Sequence, residues 1–273
     1  MSAQAQHSPA KLPTGRNHVS YSEIAEWARC SWKHKLNHVE KLGSDAPSPH
    51  LIFGTAIHDA CESIVKSRTY DPKALVETLI AGWTAHQELD AFKSWTLEDA
   101  VSDALEIVED VLPFLDREFP NWRHVDAEAR LYEPIAGADG VFFKGFIDCV
   151  IAVPTTKGET LWILDWKTSS RGWFRDKRSD QVIAAQVVLY RNFVSPRLGI
   201  DQYDAKCGFV ILNRSAKPGT KCELFRVSAG EVTVTRALKM LTNAITSIKR
   251  GIAVKNKGEA CKWCEHNKTS RCP

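Results

Sequence analysis

Two neighbouring strand-like segments, each carrying an acid, constrain the fold of this chain most strongly. Both are rich in β-branched and aromatic residues, and the turn-forming sequence PTTKGE joins them. They are the runs VFFKGFIDCVIAV (141–153) and TLWILDWK (160–167). If Val153 faces Thr160 in an antiparallel hairpin, Asp148 lies opposite Asp165, with Cβ atoms about 5 Å apart. Two like charges at that spacing repel each other, so we expect a cation between them.

The preceding segment, EARLYEPI (128–135), adds a third acid to the same patch. If Ile135 faces Val141 across the short AGADG link, Glu128 falls opposite Asp148. The register is assumed here, and a slip of one residue would move an acid to the other face of the sheet. With this register, three carboxylates converge on one patch of a three-stranded sheet.

This patch has a chemical use. Carboxylates bind hard divalent ions such as Mg²⁺, which activate water and stabilise charge developing on phosphorus. Side chains alternate along a strand, so Lys167 shares the face of Asp165 and could orient or deprotonate an attacking water. In the alternative interpretation, Asp148 and Asp165 are ordinary polar positions on an exposed face.

The order GFID, then DWK, resembles the signature of PD-(D/E)XK nucleases, in which an Asp is followed, after a hairpin, by an acid, any residue and Lys. Ile147 stands where the eponymous proline would be. GTAIHDACE (54–62) and QVVLY (186–190) resemble the G-x-x-x-H and Q-x-x-x-Y motifs of the RecB-like branch. The resemblance implies an α/β, restriction-endonuclease-like core with a central mixed sheet flanked by helices.

The resemblance also implies roles for individual residues. A site for Mn²⁺ or Mg²⁺ would have as ligands His58, Asp148, Asp165 and the backbone carbonyl of Trp166. The catalytic residues would be Asp148, Asp165, Lys167, Glu128, Gln186 and Tyr190. A histidine ligand favours Mn²⁺. In the alternative, His58 is a surface residue paired with Glu62, and Gln186 and Tyr190 are interior helix residues.

Four of the eight cysteines suggest a second metal site. Three end the chain in a C-x2-C-x7-C spacing, and one lies in the first amphipathic segment: Cys261, Cys264, Cys272 and Cys30. Four thiolates suit an iron–sulfur cluster or a structural zinc, for which His266 could replace one thiolate. The arrangement is similar to that of iron–sulfur RecB-like nucleases, namely the helicase–nuclease subunit AddB and a CRISPR-associated nuclease, which implies a [4Fe–4S] cluster. Zinc, a disulfide and free thiols remain alternatives.

The other four cysteines, Cys61, Cys149, Cys207 and Cys222, lie inside apolar patterns and are predicted to be small core residues.

A basic and aromatic segment, SSRGWFRDKR (169–178), follows the DWK strand. Cations interleaved with flat rings are typical of grooves that bind single-stranded nucleic acid. The candidate DNA-binding residues are Arg171, Trp173, Arg175, Lys177 and Arg178. The alternative is a solvated loop, and the net charge of +3 does not by itself indicate a nucleic-acid partner.

Periodicity and capping signals predict a polar, disordered tail over 1–17 and a single RecB-like domain over 18–273. Segments 18–42 and 251–273 would form an iron–sulfur lobe, in which the N-terminal helix closes the C-terminal part. Helices are predicted over 20–38, 54–66, 71–89, 97–118, 179–194 and 231–249. The chain has neither an apolar leader in residues 1–17 nor a run long enough to span a membrane, so we expect a cytoplasmic protein.

These features predict a metal-dependent DNA exonuclease that acts at single-stranded ends in recombination, repair or spacer processing. Its macromolecular partners would be DNA and either a second copy of the chain or proteins of recombination or CRISPR adaptation. Two other classes remain open: a DNA-binding recombination accessory module with little nuclease activity, and a redox or sensor protein in which the cluster is the working part.

Overall fold

Two kinds of sequence pattern, alternating strands and amphipathic helices, reappear as the elements of the computed structural model, which describes residues 11–43 and 47–273. The helices are α1 Tyr21–Arg29, α2 Ser31–His34, α3 Pro49–Ser67, α4 Pro72–His86, α5 Asp90–Lys93, α6 Leu97–Glu118, α7 Arg175–Ser179, α8 Gln181–Val194 and α9 Glu231–Lys249. The strands are β1 His18–Ser20, β2 Arg123–Pro134, β3 Phe142–Thr155, β4 Gly158–Ser169, β5 Lys206–Asn213 and β6 Cys222–Val227.

The strands are hydrogen-bonded in the order β1-β3-β4-β5-β6, and β2 also pairs with β3. The pairings of β1 with β3 and of β4 with β5 are parallel, whereas those of β3 with β4 and of β5 with β6 are antiparallel. The sheet is therefore mixed, as predicted. Val153 lies opposite Thr160, which confirms the predicted register of the β3–β4 hairpin.

The described residues divide into two compact units. The first contains the described residues up to 43, together with Arg130–Gly145 and Glu231–Pro273; the second contains those from 47 to 129 and Phe146–Gly230. Both segments predicted to form an iron–sulfur lobe belong to the first unit, and the predicted catalytic residues belong to the second. Residues 1–10 of the predicted tail lie outside the described residues. In the rest of that segment, Leu12 and Thr14 are buried.

The second unit has a continuous apolar core made by α3, α4, α6 and one face of the strands. Fully buried members include Ile57 of α3, Leu79 of α4, Phe114 of α6 and Trp166 of β4. Burying one such side chain stabilises a fold by about 1.5–3 kcal/mol. This core holds α3 and the β3–β4 hairpin in fixed positions. The predicted core cysteines Cys61, Cys149, Cys207 and Cys222 are all buried, as expected.

In the first unit, α1 begins at the predicted cap, where the side chain of Ser20 accepts a hydrogen bond from the amide of Glu23. The carboxylate of Glu23 is buried and lies 2.7 Å from the Arg16 guanidinium and 3.0 Å from the His34 ring. The predicted single helix over 20–38 is wrong, because the backbone is extended at Cys30. A short α2 and one π-helical turn, Lys35–Val39, follow this break.

The remaining helices differ from the prediction mainly at their ends. α4 and α6 begin after side-chain caps at Asp71 and Thr96, and α6 and α9 have the predicted bounds. α3 begins at Pro49 and not at Gly54, since proline in the first turn has no N–H that the helix would need. None of the helices in the described residues combines the length and hydrophobicity that a membrane span requires.

Candidate active site

Asp148 lies where the β3–β4 ladder ends. The last paired residues are Cys149 and Leu164. Asp148 precedes Cys149 and Asp165 follows Leu164, so the two acids are opposite each other if the same register is extended by one position. The Asp148 carboxylate accepts a hydrogen bond of 2.8 Å from the backbone amide of Trp166. This bond fixes the carboxylate at the open end of the hairpin, where a ligand can reach it.

Three side chains from three different elements converge on this point. One ligand atom each from His58 of α3, Glu128 of β2 and Asp148 of β3 lies within 4.8 Å of the others. Nδ1 of His58 is 3.5 Å from a carboxylate oxygen of Asp148. Glu128 has a φ of 54°, in the left-handed region that a non-glycine residue occupies at a cost of roughly 1–3 kcal/mol. The strain is tolerated at the position that places this third acid in the cluster.

Asp165 has different partners. Its side chain is 2% exposed; one oxygen accepts a hydrogen bond of 2.7 Å from Nε2 of Gln186, and the other contacts the ammonium of Lys167. Nε2 of Gln186 is also 3.3 Å from the Tyr190 hydroxyl, one turn later on α8. Asp165 therefore lies outside the three-residue cluster and holds the lysine and the glutamine in place.

Burial and like charge dominate the electrostatics of the site. Burial, with the neighbouring charge of Asp165, raises the pKa of Asp148 well above its usual value. Burial also raises the pKa of Glu128, with the charge of Glu62 adding to it. Burial lowers the pKa of His58, although the charge of Asp165 and a hydrogen bond with the Trp166 backbone oppose this. The site thus favours a neutral imidazole and places negative charges where they repel each other.

This donor set fits a divalent cation. A neutral imidazole and carboxylate oxygens are ligands that Mn²⁺ accepts, and a cation among the carboxylates would remove the repulsion that raises the pKa of Asp148. The Trp166 backbone, which was predicted to supply a carbonyl ligand, lies within hydrogen-bonding distance of His58.

The four cysteines predicted to bind a second metal line a single cavity of about 490 Å³ in the first unit. They are all half-buried. Among residues 11–43 and 47–273, no three of their sulfur atoms lie within 4.8 Å of one another.

The basic segment after β4 is only partly available to a ligand. Trp173, predicted to stack on bases, is 6% exposed and packs against Phe209 and Phe225, so no base can lie on its ring. The Arg178 guanidinium binds both oxygens of Glu223 at 2.6 Å. Arg171, Arg175 and Lys177 are exposed.

Two basic residues near the end of β4, His50 and Arg214, belong to none of the recognised motifs. Both line a cavity beside Thr168, which directly follows Lys167. A signal for His50 is its spacing of eight residues from His58, which places the two histidines about two turns apart in one helical row. No local pattern indicates Arg214.

Comparison with known proteins agrees with this geometry. A sequence model of the PD-(D/E)XK nuclease superfamily matches residues 18–273. A crystal structure of a candidate exonuclease from Eubacterium rectale superposes with a TM-score of 0.57 and 14% sequence identity, covering 100% of this chain and 96% of that one. At this identity the likeness concerns the fold. Curated proteins yield no sequence match.

Proposed function

Since this chain belongs to the PD-(D/E)XK nuclease superfamily, we propose that it is a metal-dependent deoxyribonuclease that hydrolyses phosphodiester bonds at single-stranded DNA ends. The observation that carries the proposal is the cluster of half-buried His58 and Glu128 with buried Asp148, next to the Asp165–Lys167 pair. Bringing two acids this close, one of them buried, costs free energy unless a cation compensates their charge.

The side chains divide into those that hold the cation and those that act on water and phosphate. Asp148, His58 and Glu128 would hold Mn²⁺ or Mg²⁺, with Asp165 and the Trp166 carbonyl completing the set. When bound, the cation supplies Lewis acidity toward the phosphate and lowers the pKa of a water. A bound cation would oppose the rise in the pKa of Asp148 that burial and the charge of Asp165 cause, and would favour its ionised form.

Lys167 is the residue that acts closest to the reacting groups. Its ammonium contacts Asp165 and is about one-third exposed, so it can reach a bound phosphate while its carboxylate partner limits its motion. It would orient the attacking water or stabilise charge on the phosphate oxygens. Gln186 is a positioning residue, because its amide donates to Asp165 and lies next to the hydroxyl of Tyr190.

End-dependent cleavage is the second part of the proposal. Small stand-alone RecB-like nucleases are expected to process ends, and the similar fold from Eubacterium rectale is that of a candidate exonuclease. The biological setting we propose is recombination, repair or spacer processing.

The cysteine cavity would hold a [4Fe–4S] cluster. A four-iron cluster is larger than one zinc ion, so its thiolates stand farther apart, and this agrees with a cavity of about 490 Å³ lined by all four cysteines. Such a site needs four thiolates and no free coordination position. The cluster would be structural, since the acids assigned to hydrolysis lie in the other unit.

Cleavage of labelled DNA tests the nuclease proposal. Anaerobically purified protein is incubated with Mn²⁺, Mg²⁺ or EDTA and three substrates: linear single strands, circular single strands and blunt duplex. We expect cleavage of the linear strand with Mn²⁺, none with EDTA, and little cleavage of the circle. Equal rates on circle and linear strand would overturn end dependence. Binding without cleavage under every metal condition would instead identify a DNA-binding accessory module.

A further inference from the structure

A cavity in the second unit lies at the carboxyl end of β4, beside the residues that directly follow Lys167. Its volume is about 240 Å³. Besides Phe53, it is lined by three basic residues and three residues with hydroxyls: His50, Lys177, Arg214, Thr168, Ser169 and Ser170. Within the described part of the chain, its lining includes no carboxylate. We call this cavity the basic pocket.

The positive charge in the basic pocket is held in place by packing. The Arg214 guanidinium stacks on the ring of Trp95, with 3.8 Å between its central carbon and the ring centroid. Its carboxylate neighbour, Asp103, is 3.6 Å away and lines the adjoining cavity, which shares Arg214 and Ser170 with the basic pocket. Burial, with the charge of Arg214, lowers the pKa of His50. The neutral form of His50 is therefore favoured, and an anion bound beside Arg214 would favour its protonated form instead, as a cation favours ionised acids.

The basic pocket and the acidic cluster are connected by one row of α3. His50, Gly54 and His58 follow each other at intervals of four residues, so they are neighbours on the helix surface. The two histidines are about 12 Å apart along the helix axis, at 1.5 Å per residue. On the strand side, Thr168 of β4 lines the basic pocket and directly follows Lys167 in the sequence.

Gly54 leaves an open strip between the two histidines. A Cβ added there would have Thr168 Oγ1 as its nearest neighbour in the described residues, at 3.8 Å, which is an ordinary contact. Protein packing therefore does not require a glycine at this position. Glycine in the middle of a helix costs about 1 kcal/mol relative to alanine, so its presence suggests that another molecule approaches the backbone.

We propose that the basic pocket binds a phosphate of the DNA strand that the acidic cluster cuts, and that the strand crosses α3 at Gly54 between the two sites. The inference rests on the proposed nuclease function and adds the path of the substrate to it. Arg214 and Lys177 neutralise the phosphate, the hydroxyls of Thr168 and Ser170 donate hydrogen bonds, and the neighbouring phosphate reaches Lys167.

Binding of a fluorescent single-stranded oligonucleotide, measured by anisotropy in EDTA, tests this pocket without cleavage. Lys177→Ala and His50→Ala are each expected to raise the Kd three- to tenfold. Lys177→Ala should also reduce the slope of log K against log salt by about 0.7, the value for one phosphate contact on a single strand. The control is Arg226→Ala, an exposed cation of the same unit outside the pocket, whose Kd should stay within twofold.

Gly54→Ala separates blocking of the path from loss of folding. The new methyl group has room in the protein and removes a helical glycine, so the melting temperature should stay equal or rise. Affinity for the oligonucleotide should nevertheless fall at least threefold. An unchanged affinity with a raised melting temperature would overturn the proposed path across α3.

Neutral methylphosphonate linkages locate the phosphate. Replacing one internal phosphate at a time should weaken binding to the parent protein at one position, and Lys177→Ala should add little at that position. If only removal of a terminal phosphate couples in this way, the pocket binds the strand end. If the Lys177→Ala substitution changes the effect of neither the internal nor the terminal phosphate replacements, the proposal is overturned. A parent protein that binds but never cleaves would overturn the nuclease function and leave this test intact.

Discussion

The acidic cluster and the cysteine cavity differ in how far the protein alone arranges the groups that would bind a metal. The acids and His58 project from α3, β2 and β3, where a continuous core fixes each element. Three of the four cysteines lie after α9 in a segment whose regular structure is one 3-10 turn, Glu259–Trp263, and an isolated bridge between Thr269 and Cys272. A rigid scaffold can hold metal-binding side chains together although their charges repel each other. A segment with little regular structure depends more on a bound metal to keep its side chains in place.

The two proposed metals would therefore do different work. Removing the cation from the acidic cluster should leave the fold intact and stop the reaction. Removing a metal from the proposed cysteine site should instead cost stability, because a metal that binds only the folded site contributes directly to folding. Variants of either region therefore separate activity from stability when both properties are measured.

The largest effect is expected on cleavage by variants of the Asp165–Lys167 pair. Asp165→Ala or Lys167→Gln should lower kcat by roughly 10²–10⁴, the range for a positioned acid–base group. The melting temperature of Lys167→Gln should change little, because Lys167 is about one-third exposed. Asp165→Ala also leaves the buried amide of Gln186 without its acceptor, so its melting temperature should fall. Glu77→Ala, an exposed acid of α4 paired with Lys73, is the control. If both variants keep activity within a few-fold of the parent, these residues do not act on the phosphate.

The register of the β3–β4 hairpin, which positions Asp165 and Lys167, was predictable from the sequence. The residues that surround these two side chains were not. Two alternating strands and a short turn determine which residues face each other, so Val153 and Thr160 could be paired without a structure. Charge partners from distant segments leave no local signal. Arg178 binds Glu223 of β6, and Trp173 packs on Phe209 of β5, so two predicted DNA contacts are engaged within the protein.

The same limit explains the helices. α4 and α6 carry caps that the sequence displays, whereas the break at Cys30 has no proline or glycine to announce it. There the serine of α2 hydrogen-bonds the backbone of Val254, more than 200 residues away. Long-range packing of this kind overrides helical periodicity, and sequence reasoning had to extend one helix through the break.

The second largest effect should be on stability, from Cys30→Ser. The anaerobically purified parent should contain about four iron atoms per chain, and the variant should lose them together with several degrees of melting temperature. Affinity of the acidic cluster for Mn²⁺, measured by calorimetry, should be retained. Cys207→Ser, at a buried core position, is a control that should keep its iron. One zinc and no iron in the parent would replace the cluster with a zinc site, and neither metal would remove the site.

A smaller effect of opposite sign is expected from Asp148→Asn. The amide oxygen can still accept the hydrogen bond from Trp166, while the buried negative charge next to Asp165 disappears. Metal-free protein should therefore gain a few degrees of melting temperature and lose cleavage, as expected where function is maintained at a cost in stability. Mn²⁺ should raise the melting temperature of the parent more than that of the variant. A variant less stable than the metal-free parent would show that repulsion at this site is negligible.

The smallest effect on stability is expected from polar contacts that would hold the cysteine-containing segment after α9 in place when no metal is bound. Burial alone would raise the pKa of Glu265, but hydrogen bonds from a backbone amide, Lys33 and Asn37 outweigh it and lower the pKa to about 2. An acid whose pKa is lower in the folded state stabilises the fold above its unfolded pKa, and this stability is lost as the pH falls toward the folded value.

Glu265→Gln should therefore lower the melting temperature of the metal-free protein by one or two degrees at pH 6. The difference from the parent should shrink between the ordinary pKa of 4.5 and about 2. Glu259→Gln removes an exposed pair with Lys262 in the same segment and should have no measurable effect, since such surface pairs contribute little. If the Glu265 variant matches this control at every pH, the polar contacts to Lys33 and Asn37 do not hold the segment, and its order depends on the metal alone.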